Sequence, residues 1–218
     1  MKKPRTDETI QRVAALLFQR FGFEKTSMEE IAREAHKSKR SVYNYFRNKE
    51  DLFSKMASEE IEHIRETLQT VVADESQRVL TRLRQYLLLR VELMASADNL
   101  RVALRDKMIQ DRHLRFQELN DAMSRFLRWE HDSFKKVWYA KPTQDPAETV
   151  ELQAAAFADM LQVTLNGLVH TFFVEDKYEQ YKASYSMLID LIISSVFFQF
   201  AGYSMPEYHG MTPSNVVQ

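Results

Sequence analysis

Apolar residues recur every three or four positions along most of this chain. Ile10, Val13, Ala14, Leu17 and Phe21 make one stripe; Phe116, Leu119, Met123, Phe126, Leu127, Phe134 and Val137 make another. Strands need frequent turn residues, and these are missing. No proline lies between Pro4 and Pro142 or between Pro146 and Pro206, and Gly22 is the only glycine before Pro142. The pattern predicts an all-α chain. Start and stop signals divide it. Thr26/Ser27 with Glu29/Glu30 form overlapping capping boxes, and Asp74 with Gln77 repeats the spacing. Asn48 and Asp51 open a helix, Asp145-Pro146-Ala147-Glu148 reads as N-cap, N1 proline and acidic N3, and Asp176 with Glu179 opens the last helix. Gly22 ends the first helix. About nine helices are predicted, at 7–21, 27–35, 38–46, 48–72, 75–95, 99–110, 112–139, 146–174 and 177–203. The expected domains are 1–47 and 48–205, with a flexible tail at 206–218.

Composition narrows the function. With 44% hydrophobic and 28% charged residues, the 218-residue chain can build a core. Having no cysteine excludes disulfides, thiolate metal sites and a Cys nucleophile. The glycines, at 22, 167, 202 and 210, are too scattered for a phosphate-binding loop. The six histidines show no tight ligand spacing, so neither metal nor cofactor is expected. No nucleophile or acid–base constellation points to an enzyme. The longest uncharged runs, 160–174 and 191–206, are shorter than the roughly 20 residues of a spanning helix. No apolar signal region follows the basic start, so a cytoplasmic protein without a membrane partner is expected. The net charge of −1 hides an asymmetry: residues 1–55 hold 13 Lys/Arg against 8 Asp/Glu, and the remainder is acidic. A basic head on an acidic body points the head toward a polyanion.

Two short helices at 27–35 and 38–46, joined by about two residues, have helix-turn-helix proportions. Met28, Ile31, Ala32, Ala35, Val42 and Phe46 can pack on the first helix. The outer face of the second then carries Lys39, Arg40, Ser41, Tyr43 and Asn44, flanked by Lys37, Arg47 and Lys49. Arginine can fork onto guanine, while Lys, Tyr and Ser reach phosphates. Helix N-termini at Ser27, Ser38 and Asn48 add backbone N–H donors.

These segments, Thr26–Ala35, Ser38–Phe46 and Asn48–Phe53, resemble the TetR family of bacterial transcriptional regulators over about residues 7–55. The resemblance implies a homodimer that binds a palindromic operator in double-stranded DNA, usually represses, and releases when a small-molecule effector enters the C-terminal domain. It implies phosphate contact by Thr26 or Ser27, base reading by Lys39, Arg40, Ser41 and Asn44, and backbone contact by Tyr43, Tyr45 and Lys49, beside Lys37 and Ser38. The chain departs from the family at His36-Lys37, where Gly-Val is frequent, and at Arg40, where Gly is frequent. His tolerates positive φ, and Lys37 can lay its stem over the core edge.

In the body, 146–174 and 177–203 are apolar nearly all round, which buries one side within the chain and asks for a partner on the other. Leu152, Ala155, Ala156, Leu188, Ile192, Ser195 and Val196 are the candidate dimer face. Polar or bulky residues within apolar stretches are candidate effector contacts: Arg90, Met94, Arg105, Met108, Phe126, Trp129, Asn166 and His170. The last two, at i and i+4, share a face; the alternative is that they are satisfied core groups or line the dimer seam. Two functions compete: a regulator released by a largely apolar small molecule, and a dimeric DNA-binding protein whose body binds another protein. A closed apolar cavity over the helices of 75–174 favours the first, and a solid body with an exposed patch favours the second.

Overall fold

The computed structural model describes residues 5–106, 108, 115–141 and 143–200, the side chains of 197–200 excepted. The expected tail at 206–218 lies outside these residues. They form ten α-helices without a strand. In the head are α1 (Thr6–Phe21), α2 (Met28–Glu34) and α3 (Lys39–Tyr43). The long α4 (Lys49–Ala73) leads into the body, built from α5 (Val79–Ser96), α6 (Asp98–Arg105), α7 (Gln117–Tyr139), α8 (Ala147–Val169), α9 (Tyr178–Tyr181) and α10 (Tyr185–Phe200).

Local signals explain the head. Ser27 caps α2 reciprocally: its Oγ accepts from the Glu30 N–H at 3.2 Å, and Glu30 accepts from the Ser27 N–H at 2.8 Å. Ser38 accepts from the Ser41 N–H at 3.1 Å to cap α3, and Asn48 accepts from the Asp51 N–H at 2.7 Å to cap α4. Gly22 ends α1 at φ 82°. The turn after α2 closes through His36 at φ 52°, with N–H bonds from His36 to Arg33 and from Lys37 to Ala32. This is the double closure usual with glycine, made here by a residue that tolerates the left-handed region.

Phe18, Phe23 and Phe53 meet at 5.1–5.5 Å between ring centroids, mostly edge to face. Phe116, just before α7, joins them 5.3 Å from Phe23. All four are buried. Each burial contributes roughly 1.5–3 kcal/mol relative to exposure. The body therefore completes the head's core.

Several elements differ from the sequence reading. Asp74 caps no helix: it ends α4, and its carboxylate accepts from the Ser76 N–H at 3.1 Å and from Gln77 at 2.7 Å, delaying α5 to Val79. Asp145 is not the cap of α8; Pro146 holds that position, and its missing N–H loses nothing there. After Val169 the backbone loosens into a π turn, His170–Val174. Asp176, at φ 57°, closes that turn instead of opening the next helix. The last helix is two. Ser184 donates its hydroxyl to the Tyr181 carbonyl at 3.4 Å, competing with the helical ladder where α9 and α10 part.

Candidate functional site

Lys39, Arg40, Tyr43, Asn44 and Tyr45 are exposed on and just after α3, and Lys37 and Ser41 are half-buried beside them. Val42, facing inward, is buried and holds the helix to the head. The face is organised before any ligand arrives. Lys39 forms an ion pair with Glu29 of α2 and lies over the Tyr43 ring at 5.7 Å. Their mutual bond lowers the Glu29 carboxyl below its usual range and raises the Lys39 ammonium. No bond or ion pair of the Arg40 side chain is found among the described residues.

Two expected phosphate contacts are elsewhere. Thr26 is buried, and its hydroxyl donates to the Gly22 carbonyl at 2.9 Å, so it fixes the α1–α2 turn. Lys49 turns inward: its ammonium donates to the Phe23 carbonyl at 2.7 Å and sits 4.2 Å from the Phe23 ring centre. It ties the start of α4 to the α1–α2 loop. Arg47, in the α3–α4 turn, donates its backbone N–H and its guanidinium to Asp51, both at 2.9 Å. The first turn of α4 thus fastens both flanks of the helix-turn-helix.

In the body, a cavity of about 440 Å³ opens between α5, α6, α7 and the end of α8. Four expected contacts line it: Arg90, Met94, Asn166 and His170. Asn166 and His170 are exposed, so they are not core groups; they stand at the rim, where α8 gives way to the π turn. The other four do not line it. Phe126 lies beneath, carrying the Arg90 guanidinium 4.7 Å above its ring. Trp129 donates to Gln69 at 2.9 Å, toward a separate cleft between α4, α5 and α7. Arg105 borders a third cleft with Phe172 and Phe173. Met108 is buried apart from all three.

The sequence reading missed two carboxylates. Glu130 is fully buried and accepts from Arg90 Nε at 3.1 Å and from the Tyr86 hydroxyl at 2.8 Å. Burial beside this carboxylate raises the Tyr86 phenol, which keeps its proton as donor. Glu60 of α4 accepts from the N–H groups of Asn99 and Leu100, at 3.2 and 2.8 Å, and from the Asn99 amide at 2.6 Å. It caps the start of α6, whose Ala103 and Leu104 line the cavity. Burial raises its carboxyl above the usual range against the pull of those bonds. Each is one Glu among many on a helical face, so sequence carried no signal beyond helical spacing.

Of the expected dimer face, Leu152, Ala156, Leu188 and Ser195 are exposed, and Ala155 and Ile192 are half-buried. Val196 is buried within the protomer and leaves the list, because its side of α10 packs inward with Ile189 and Tyr185. Met160, Val163, Met187 and Leu191, not expected, are each about two-thirds exposed. Among the described residues no group of His, Cys, Asp or Glu could hold a metal, and no helix is long and apolar enough to cross a membrane.

A capped helix-turn-helix head on a larger helical body is the fold of a DNA-binding regulator. Residues 10–56 match the family described as bacterial regulatory proteins, tetR family, so the head is similar to the DNA-binding domain of that family, as the motifs of residues 26–53 imply. No curated protein matches the chain. Among solved structures, the fatty acid degradation regulator FadR from Bacillus halodurans superposes with a TM-score of 0.65 at 16% identity, over 89% of this chain and 95% of that one. FadR from Bacillus subtilis in complex with stearoyl-CoA gives 0.61 at 18%, over 90% and 98%. The SmeT–triclosan complex gives 0.60 at 17%, over 95% and 98%. At these identities the likeness is one of fold.

Proposed function

We propose that the chain is a homodimeric regulator that reads a palindromic operator with α3 and loosens its hold when a small, largely apolar molecule enters the α5–α8 cavity. In this reading residues 1–47 read DNA, and 48–205 bind the effector and the second copy. Arg40 reads a base, with Lys39, Ser41 and Asn44 beside it. Ser27, Lys37, Ser38, Tyr43 and Tyr45 meet the backbone. The exposed apolar residues of α8 and α10 join two protomers, placing two α3 helices about 34–36 Å apart, one turn of B-form DNA.

The observation that carries the reading is the unbroken mechanical path between the two ends. The cavity wall α6 is held by Glu60 to α4, and α4 is fastened by Lys49 and Arg47 to both flanks of the helix-turn-helix. An occupant that shifts α6 shifts α4, a lever of about 37 Å at 1.5 Å per residue, and so changes head spacing against fixed DNA. The cavity favours a small-molecule effector over a protein partner; the neighbours' stearoyl-CoA and triclosan are consistent with it.

Selection from random duplexes, with sedimentation equilibrium at micromolar concentration, tests this. The expected result is one inverted repeat, bound by a dimer. A monomer, or equal retention of scrambled duplexes, defeats it.

A further inference from the structure

The cavity has a feature that selects the charge of its occupant. Among the described residues that line it, Arg90 is the one Lys, Arg, Asp or Glu, with His170 at the rim, and Arg90 is almost wholly buried. Its charge is already matched. Glu130, fully buried behind it, holds Nε at 3.1 Å. Yet its hydrogen bonding is incomplete, because the buried Nη1 has no partner. A guanidinium has five N–H donors, and an unsatisfied buried donor is costly to leave so. The Phe126 ring packs against the group, its centroid 4.7 Å from the guanidinium carbon.

Charge and hydrogen bonding therefore ask for different things. An acceptor is wanted; a second anion is not. A carboxylate brought to Arg90 would sit near Glu130 in surroundings of low dielectric, two negative charges against one positive. Among the described residues the rim offers no spare cation. His170 faces the Glu175 carboxylate at 3.4 Å, and Glu175 is held in turn by Lys177 at 2.6 Å. Apart from the uncharged amide of Asn166 at the rim, the remaining wall, including Met94, Leu104, Met123, Leu127, Val169 and Val174, is apolar and, through its methionines, adaptable.

We propose that the cavity binds an uncharged, mainly apolar molecule carrying one accepting oxygen, a ketone, ester or amide carbonyl, which takes the unpartnered Nη1 donor of Arg90 as the flexible methionines of the wall make way for it. The proposal rests on the reading of this cavity as the effector site and names the chemical class that site accepts.

Calorimetric titration of the full chain at pH 7 with 2-nonanone and with nonanoate tests it. The expected result is tighter binding of the ketone, by about ten-fold or more. Arg90→Met removes most of the ketone's affinity. Glu130→Gln leaves the arginine charge unmatched and moves the preference toward nonanoate. The comparison on the unaltered protein stands even if either variant folds poorly. Nonanoate binding as tightly as the ketone overturns the proposal and leaves the cavity reading in place; failure of both probes to bind removes both.

Discussion

In the head, polar side chains bond to near neighbours in sequence: Ser27 to Glu30, Ser38 to Ser41, Asn48 to Asp51. In the body the consequential bonds span about forty residues: Tyr86 to Glu130, Arg90 to Glu130, Glu60 to Asn99. The head thus orders its surface locally and leaves α3 outward. The body buries charge to join helices distant along the chain. Rigid presentation and long-range coupling call for these two different uses of the same residue types.

The sharpest way to break this contrast is at Glu60. Glu60→Ala leaves three buried or half-buried donors without an acceptor, at about 1–3 kcal/mol for each donor that stays dry. Urea unfolding should show that loss, and effector response of DNA binding should weaken more than DNA binding itself. The pH dependence has a definite sign. Because the folded protein holds the Glu60 proton more tightly than the unfolded chain, stability at this group falls as pH rises from about 4.5 through the raised folded value. Glu60→Gln should flatten that segment of the curve; an unchanged slope means Glu60 is not its source.

A smaller effect, confined to the head, is expected at Arg40. Arg40→Ala should relax one operator position by about 1–3 kcal/mol, read as relative affinities for single-base variants. Equal loss on every variant would make Arg40 a phosphate contact. The smallest effect is at Glu29. Glu29→Gln releases Lys39 toward DNA, so affinity should rise modestly and the salt dependence steepen by about one phosphate equivalent. No change in that slope would leave the Lys39–Glu29 pair without influence on binding.

The same contrast explains what could be read in advance. The head's caps at Ser27, Ser38 and Asn48, the Gly22 stop and the exposed α3 face follow from spacing within four residues, and they stood in the sequence, whereas the same signals at Asp74, Asp145 and Asp176 in the body did not open helices. His36 was readable because its type tolerates the backbone it adopts. Lys49 was not: its bond to the Phe23 carbonyl spans 26 residues, and an outward basic residue has the same sequence signature. Arg90, Met94, Asn166 and His170 stood out as oddities in apolar stretches, yet periodicity could not separate them from Arg105, which borders another cleft, or from Trp129, which bonds to Gln69. The break before α10 closes through a local turn in which the Ser184 N–H and hydroxyl both donate to the Tyr181 carbonyl, a detail that apolar spacing does not register.

Phe116 has a consequence for modularity. The aromatic socket formed by Phe18, Phe23 and Phe53 is filled by a side chain encoded some sixty residues downstream. A fragment ending near residue 55 would carry an open socket, and a graft of that fragment onto a foreign trunk would need an aromatic plug supplied at the matching height. Exchange of such heads between different bodies is therefore limited by steric fit at this joint as well as by linker length.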